Sequence, residues 1–476
     1  MSESRNKLRG SVAAERASQH CIMPGCGAAF GIRERIYVCS CCGGPLEIDA
    51  GVDGPRTASE LRQKWEARGG AQSGPDRSGV WRYRELLPFE EDAPVVTLFE
   101  GNTPLYDAPR CAEYSGLRAL RLKHQGCNPT GSFKDTGMTV AVTQALALGA
   151  RTVVCASTGN TSASLAAYAA RAGLQCAIVL PQGQISAAKL AQAMDYGAAI
   201  FEIDGNFDHA MRLVQELAEE DSIYLVNSIN PFRIEGQKTV AFELMQQCRW
   251  VVPGHVVVPG GNLGNSSALG KGFEELRAAG LIDRLPKLHI VQAEGAAPLA
   301  REFARLQAAG ERKHKPHAGH GASDSLLPEG IQFVEHPRTL ASAIKIGAPI
   351  SWRKGLRAVL RSGGQVLTVS EQEIADAKAT IGRDGVGCEP ASATTVAAIR
   401  KMTADGQIGR DDSVVAILTG HILKDTDYVS HYHRGTLSIE GEGGEKKLIA
   451  ASFRNVPVSV PATKQAVLES LRRRRE

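Results

Sequence analysis

Lys134 lies in the run NPTGSFKDTGMT (residues 128–139), between Phe133 and Asp135 and behind a series of small, turn-forming residues. A lysine that is to act as an amine nucleophile must lose its proton near neutral pH, and an apolar pocket lowers its pKa. Taken alone, the run also fits a surface lysine in a turn. Three further runs bear on it. In VVCASTGNTSAS a strand-like stretch (Val153, Val154, Cys155) enters Ser157, Thr158, Gly159, Asn160 and Thr161, and a helical stretch follows. Hydroxyls at a helix start can be simple caps, but this many also offer donors to a carboxylate. In VVVPGGNLGNSS a second strand enters Gly260, Gly261, Asn262, Leu263, Gly264 and Asn265. Glycines let backbone N–H groups approach an anion, and the helix terminus adds positive charge. No Gly-Lys-Ser/Thr follows, so the loop is not a Walker A, and it departs from the dinucleotide fingerprint. In VVAILTGHILKD a third strand ends at Thr419, Gly420 and His421, where a hydroxyl can form one hydrogen bond to a ligand ring.

An amine nucleophile, an anion loop at a helix start and a ring-contacting threonine together suit pyridoxal phosphate, for which the protein supplies position and electrostatics. The elements that must position them alternate along the chain. TVVCAS, QCAIVL, AAIFEI, HVVVPG, LHIVQAEG and SVVAILTG read as buried strands, and TSASLAAYAARAG and SAAKLAQAMDYG as helices. Such alternation predicts an α/β fold with mainly parallel strands, whose ligands sit beyond the strands' carboxyl ends. The polar run 310–324 carries His314, His317 and His320; without an accompanying Cys or carboxylate pattern it reads as a solvated loop. After residue 430 the pattern predicts a short hairpin and then a helix ending in four arginines.

Five of the 11 cysteines crowd into residues 21–42. Cys21 and Cys26 form one pair; Cys39 with Cys42 forms the other, with Cys41 as a competing ligand. Two pairs at this spacing predict a zinc ribbon, because a small module needs a metal staple in place of a core. A former ribbon that folds without metal is the alternative. The chain of 476 residues is 43% hydrophobic and 22% charged, with net charge +4. That is ordinary for a globular protein, and too weakly basic to argue for nucleic acid. No apolar run reaches the roughly 20 residues of a membrane span, and the polar N-terminus lacks a signal core. The expected compartment is the cytoplasm, with reduced thiols.

Taken in order, EGNTPLY, NPTGSFKDTGMT, CASTGNTSAS, VNSINPFRIEGQKT, PGGNLGN, ASAIKIG, CEPASA and LTGHILKD resemble the tryptophan-synthase-β-like, or fold-type-II, pyridoxal-phosphate enzymes, over about residues 75–430. Among these the motifs are most similar to those of threonine synthases. The resemblance implies two three-layer α/β/α domains with a mainly parallel sheet each, at 96–245 and 246–430. The ribbon-like module (1–50), a linker with short helices (51–95) and a C-terminal tail (431–476) complete the chain. It implies that Lys134 bonds the cofactor and then moves protons, that Asn160 bonds the ring oxygen, and that Thr419 faces the pyridine nitrogen. Gly261, Asn262, Leu263, Gly264 and Asn265 would hold the cofactor phosphate. Ser157, Thr158 and Thr161 would bind the substrate carboxylate or phosphate; Asn227, Ser228 and Arg233 would contribute to the substrate phosphate site. Arg233 suits that role because a guanidinium grips phosphate with two parallel bonds. The implied reaction converts O-phospho-L-homoserine and water to L-threonine and phosphate, in a homodimer. A cysteate synthase acting on O-phosphoserine and sulfite, and a threonine or serine dehydratase, are the alternatives. A nucleic-acid-binding ribbon protein with a degenerate enzyme domain is opposed by the intact Lys134, glycine loop and Thr419.

Overall fold

The computed structural model describes residues 16–51, 57–157, 159–183, 187–309, 327–441 and 443–473. Thr158 and the histidine-bearing run 310–324 lie outside them. Two sheets carry the architecture. The larger has six strands in the order Val366–Val369, Lys287–Ala293, His255–Pro259, Val414–Leu418, Arg121–His124 and Leu105–Asp107. All neighbours in it are parallel except the last pair. The smaller has four parallel strands in the order Ala199–Ile203, Gln175–Pro181, Thr152–Ala156 and Ile223–Leu225. His255–Pro259 is buried along its whole length, as expected of a central parallel strand covered on both faces.

The larger sheet takes Arg121–His124 and Leu105–Asp107 from before the smaller sheet begins, so its strands pair across the boundary expected at 245. Arg121–His124 reads R-L-K-H and carries no apolar run. Its Lys123 is nonetheless fully buried, bonded to the Glu243 carboxylate and, at 2.6 Å, to the Thr103 carbonyl. Two helices join the lobes. Lys134–Ala147 packs on Phe232–Gln247, which in turn packs on Gly264–Ala278. Gly236 sits where a Cβ would lie 1.8 Å from the Thr136 carbonyl, so only glycine permits this helix crossing.

Residues 51–95 do contain short helices, but the stretch is not a solvated linker. Trp65, Trp81 and Tyr83 are buried, with Trp65 and Tyr83 in the same core as Phe242 and the larger sheet. The N-terminal module is a three-stranded antiparallel sheet, Ala29–Gly31, Ser18–Cys21 and Leu46–Asp49. It touches both lobes. Lys354 and Lys271 donate to the carbonyls of Leu46 and Ile48, and Arg357 pairs with Glu47 at 2.6 Å. On the other side, Gln144 donates to the Ile32 carbonyl (3.0 Å), Arg35 to that of Leu148 (2.6 Å), and Leu225 N–H to the Tyr37 hydroxyl (2.9 Å). The expected hairpin, Ser438–Glu440 with Lys446–Leu448, and the helix Lys464–Arg473 close the described chain.

Candidate active site

Lys134 opens the helix Lys134–Ala147 where the two lobes meet. Phe133 N–H donates to the Thr419 carbonyl and His421 N–H to that of Gly131, both at 2.9 Å. These bonds splice the lysine loop onto the end of Val414–Leu418. Gly131 makes the turn at φ +85°, a conformation that favours glycine. Asp135 is wholly buried and accepts from Thr130 N (2.7 Å), Thr130 Oγ1 (2.6 Å) and Ser164 Oγ (2.5 Å). It thereby clamps the lysine loop to the helix Asn160–Ala172, while burial raises its own pKa to about 6. Lys134 Nζ has no hydrogen-bond partner among the described residues and lies 4.2 Å from the centroid of the Phe133 ring. Burial first, and Arg233 second, lower its pKa to about 7.

Arg233 is 2% exposed, on the first turn of Phe232–Gln247. It has no carboxylate partner among the described residues; its Nη1 reaches the Val226 carbonyl at 3.4 Å and its Nε has no partner. Burial lowers its pKa to about 10. A buried, unpaired guanidinium is expensive to keep unless a ligand anion completes it.

The glycine loop leads from His255–Pro259 into the helix Gly264–Ala278. Leu263 is held at φ +66°, rare for a branched residue, and is 2% exposed. A left-handed residue at a helix start turns successive amides into a concave anion seat. A Cβ on Gly261 would lie 3.1 Å from Ile344 Cα and 3.2 Å from the Ala343 carbonyl, so the segment 341–347 lies tightly over the loop. Asn262 fixes the loop rather than a ligand: its Oδ1 accepts from Ile350 N at 2.6 Å. Asn265 Oδ1 and Gln125 Nε2, both buried, lack partners. A phosphate-bearing ring with an aldehyde fits this donor set: an amide seat at a helix start, unpaired polar atoms beside it, and a low-pKa lysine.

Asn160 and Thr419 meet on one carboxylate. Asn160 Nδ2 donates to Glu389 Oε2 at 3.0 Å and Thr419 Oγ1 to Glu389 Oε1 at 2.9 Å; Ser392 Oγ lies 3.1 Å from Thr419 Oγ1. Glu389 is buried, which raises its pKa. It precedes the helix Pro390–Ala404 and is not among the residues that the sequence motifs single out. A carboxylate set between a cysteine and a helix-starting proline was the available signal. A cavity of about 710 Å³ opens beside Asn160 and Glu389 and is also lined by Gln192, Ser342 and Lys424. Lys424, likewise not singled out, is bonded to Gln192, and burial lowers its pKa. Lys134, Arg233 and Thr419 are not on the cavity wall. Ser157 and Thr161 flank its Gly159–Asn160 edge, Ser157 accepting only a long 3.5 Å contact from Gly159 N. Asn227 has both amide ends on Ala156, at 3.0 and 2.9 Å, and so braces the Ser157 strand end. Ser228 is half-buried.

In the N-terminal module, the Sγ atoms of Cys21, Cys26, Cys39 and Cys42 all lie within 4.8 Å of one another. Tetrahedral zinc with four thiolates places sulfurs about 3.8 Å apart. Cys41 is exposed and outside the cluster; its N–H donates to Cys39 Sγ at 3.4 Å.

Residues 96–420 match the family model described as pyridoxal-phosphate dependent enzyme. Threonine synthase of Methanocaldococcus jannaschii is 44% identical over 425 residues, 89% of this chain and 96% of that protein. Threonine synthase of Mycobacterium leprae is 47% identical over 347 residues, 72% of this chain and 88% of that protein. Among solved structures, a fungal L-serine ammonia-lyase from Rhizomucor miehei superposes with a TM-score of 0.56 at 20% identity, over 71% of this chain and 99% of that one. Maize serine racemase gives 0.55 at 21%, over 70% and 92%. These two speak for the fold alone. The extent of the sequence matches places the chain in the pyridoxal-phosphate dependent enzymes, as a member of the threonine synthase family.

Proposed function

We propose that the chain converts O-phospho-L-homoserine and water to L-threonine and phosphate, using pyridoxal phosphate, and that the observation carrying this substrate is the unpaired, buried Arg233 next to Lys134. The cofactor supplies an electron sink for charge left on substrate carbon. Neutral Lys134 Nζ takes the proton from Cα and returns one there at the end; a pKa of about 7 keeps both forms accessible. Asn160 and Thr419 orient the ring. A hydroxyl at Thr419, unlike a carboxylate, does not hold the pyridine nitrogen protonated. The amides of 261–265 seat the cofactor phosphate against the helix N-terminus.

Ser157, Thr158 and Thr161 bind the substrate's carboxylate end, Ser228 contributes beside Arg233 to the phosphate site, and Asn227 braces the strand end before Ser157 through Ala156. Arg233 holds the substrate phosphate and steadies the charge as it leaves Cγ. Positioning of that group is a large share of the catalysis. In the ribbon, Cys21, Cys26, Cys39 and Cys42 hold one structural zinc, measurable as about one zinc per chain in protein purified without chelator. Purified protein should sediment as a homodimer.

The deciding experiment is phosphate release from O-phosphohomoserine, run beside O-phosphoserine with sulfite and beside unphosphorylated homoserine. We expect turnover of the first alone. Preferential use of O-phosphoserine with sulfite would replace this reading with a cysteate synthase.

A further inference from the structure

A second cavity, of about 730 Å³, lies between the helices Glu371–Arg383 and Thr426–Arg434 and the tail segment 453–458. Its volume falls within the range of small-molecule sites. The walls are aromatic and aliphatic, from Tyr428, Tyr432, Phe453 and Val456. Two of its polar groups have no hydrogen-bond partner among the described residues. Tyr428 is 4% exposed, and its hydroxyl has no hydrogen-bond partner. Lys378 is 9% exposed, its Nζ 5.9 Å from the centroid of the Tyr428 ring, and no ion pair or hydrogen bond holds that amine among the described residues. Of the nearby carboxylates, Asp376 accepts from Gln372 Nε2 (3.1 Å) and Tyr432 OH (3.4 Å), and Asp425 accepts from Ser342 Oγ (3.3 Å) while its charge also reaches Lys378 without a direct bond. Arg383 and Arg454 stand at the rim.

The cavity shares a wall with the catalytic one. Ile422 faces it, while the next residues, Leu423, Lys424 and Asp425, line the active-site cavity. Ile422 also packs against Gly387, where an added Cβ would lie 2.9 Å from Ile422 Cβ. Two residues on is Glu389, the carboxylate that holds Asn160 and Thr419.

We propose that this cavity is a second binding site, for a small organic carboxylate with an apolar body, and that its occupant acts on the catalytic site through Ile422 and the 421–425 segment. The carboxylate would pair with Lys378 and accept from the Tyr428 hydroxyl, and the body would fill the aromatic wall. Burial pushes the Lys378 amine below its ordinary range, and an incoming carboxylate would push it back up.

The test uses full-length protein loaded with pyridoxal phosphate, with benzoate as probe and benzamide as its neutral counterpart, followed by calorimetry. Benzoate should bind at least tenfold more tightly than benzamide. Lys378→Met should weaken benzoate tenfold or more. Tyr428→Phe, which preserves packing should the lysine variant fail to fold, should weaken it several-fold. Arg233→Ala should leave it unchanged. Saturating benzoate should also shift KM or kcat for O-phosphohomoserine at least twofold, the readout of coupling through the 421–425 segment. That last arm alone rests on the substrate proposed above. Benzoate affinity insensitive to both Lys378 and Tyr428, or lost on Arg233→Ala, would overturn the site. Binding with no kinetic consequence in an enzyme active on O-phosphohomoserine would overturn the effector role.

Discussion

The two loops proposed to hold anions differ in how firmly they are tied. The glycine loop 260–265 is locked from every side. Asn262 is bonded to Ile350, Ser266 and Ser267 both donate to the Leu263 carbonyl (3.0 and 2.5 Å), and Ala343 and Ile344 crowd the position a Cβ on Gly261 would take. Among the described residues, the loop from Ser157 to Asn160 is tied by the long Ser157 contact, by Ser162 Oγ donating to the Gly159 carbonyl at 2.7 Å and by the Asn160–Glu389 bond. A seat that is rigid before binding spends little of the ligand's binding energy on ordering; a loosely tied one is completed by its ligand. On the roles proposed above, the difference makes the cofactor seat the preformed one and the substrate loop the one its ligand completes. Arg233 stands between them: fixed in a helix, yet unpaired.

The strongest way to break this division is at Lys134, to which the proposed function gives a part in both grips. Lys134→Ala should lower phosphate release by more than about 10³-fold, the scale of losing a positioned base, and abolish the visible absorption of the lysine-bound cofactor. Its circular dichroism should match the parent. Substantial residual turnover would remove Lys134 from the chemistry. Next in size is Arg233→Ala. A bidentate charge-assisted contact is worth about 3 kcal/mol, so kcat/KM for O-phosphohomoserine should fall by about 10²-fold. Cofactor affinity, titrated into apoprotein, should be unchanged. A matching loss of cofactor affinity would mean that the two grips are one. Gly261→Ala should do the reverse at smaller scale. Its Cβ would crowd the backbone of Ile344 and Ala343, costing about 1–2 kcal/mol, so cofactor affinity should drop about tenfold while KM at saturating cofactor holds.

How legible each part was follows from how local its determinants are. Three of the four motif loops could be read because each is a contiguous run at the end of an apolar strand, with turn residues that chain geometry demands there; the lysine run was legible from its own residues alone. Arg121–His124 could not be read as a strand. What makes a buried Lys123 tolerable is Glu243, distant in sequence, which also accepts from Thr103 N at 2.9 Å and Asn102 N at 2.6 Å. Residues 51–95 looked like a linker because their polar residues outnumber the few large apolar ones. Those few, Trp65, Trp81 and Tyr83, decide the burial of the stretch. The Arg68–Glu85 pair, at 2.7 Å and bonded further to Trp65 Nε1, is internal to it and invisible as a pattern. Glu389 escaped for the same reason as Lys123: its partners, Asn160 and Thr419, are 229 and 30 residues away.

The smallest predicted effect sharpens the comparison most, because it measures both grips through one proton. Lys134 is lowered to about 7 chiefly by burial; Arg233 pushes it down further, and Glu389 pulls it up. Only the neutral amine attacks the cofactor aldehyde. The rate at which apoprotein captures pyridoxal phosphate should therefore rise with pH through about 7 and level off above it, gaining about tenfold between pH 6 and 8. Removing the cation in Arg233→Ala should move the midpoint up, since the protonated amine loses a repulsive neighbour. Glu389→Gln should move it down, since the protonated amine loses an attractive one. The two shifts have opposite signs, whereas general loosening of the site would admit water around Lys134 and move both midpoints up. Stopped-flow capture rates across pH in the three proteins give the signs directly. Parallel shifts would mean that burial alone sets the lysine, and that the charges of Arg233 and Glu389 do not reach it.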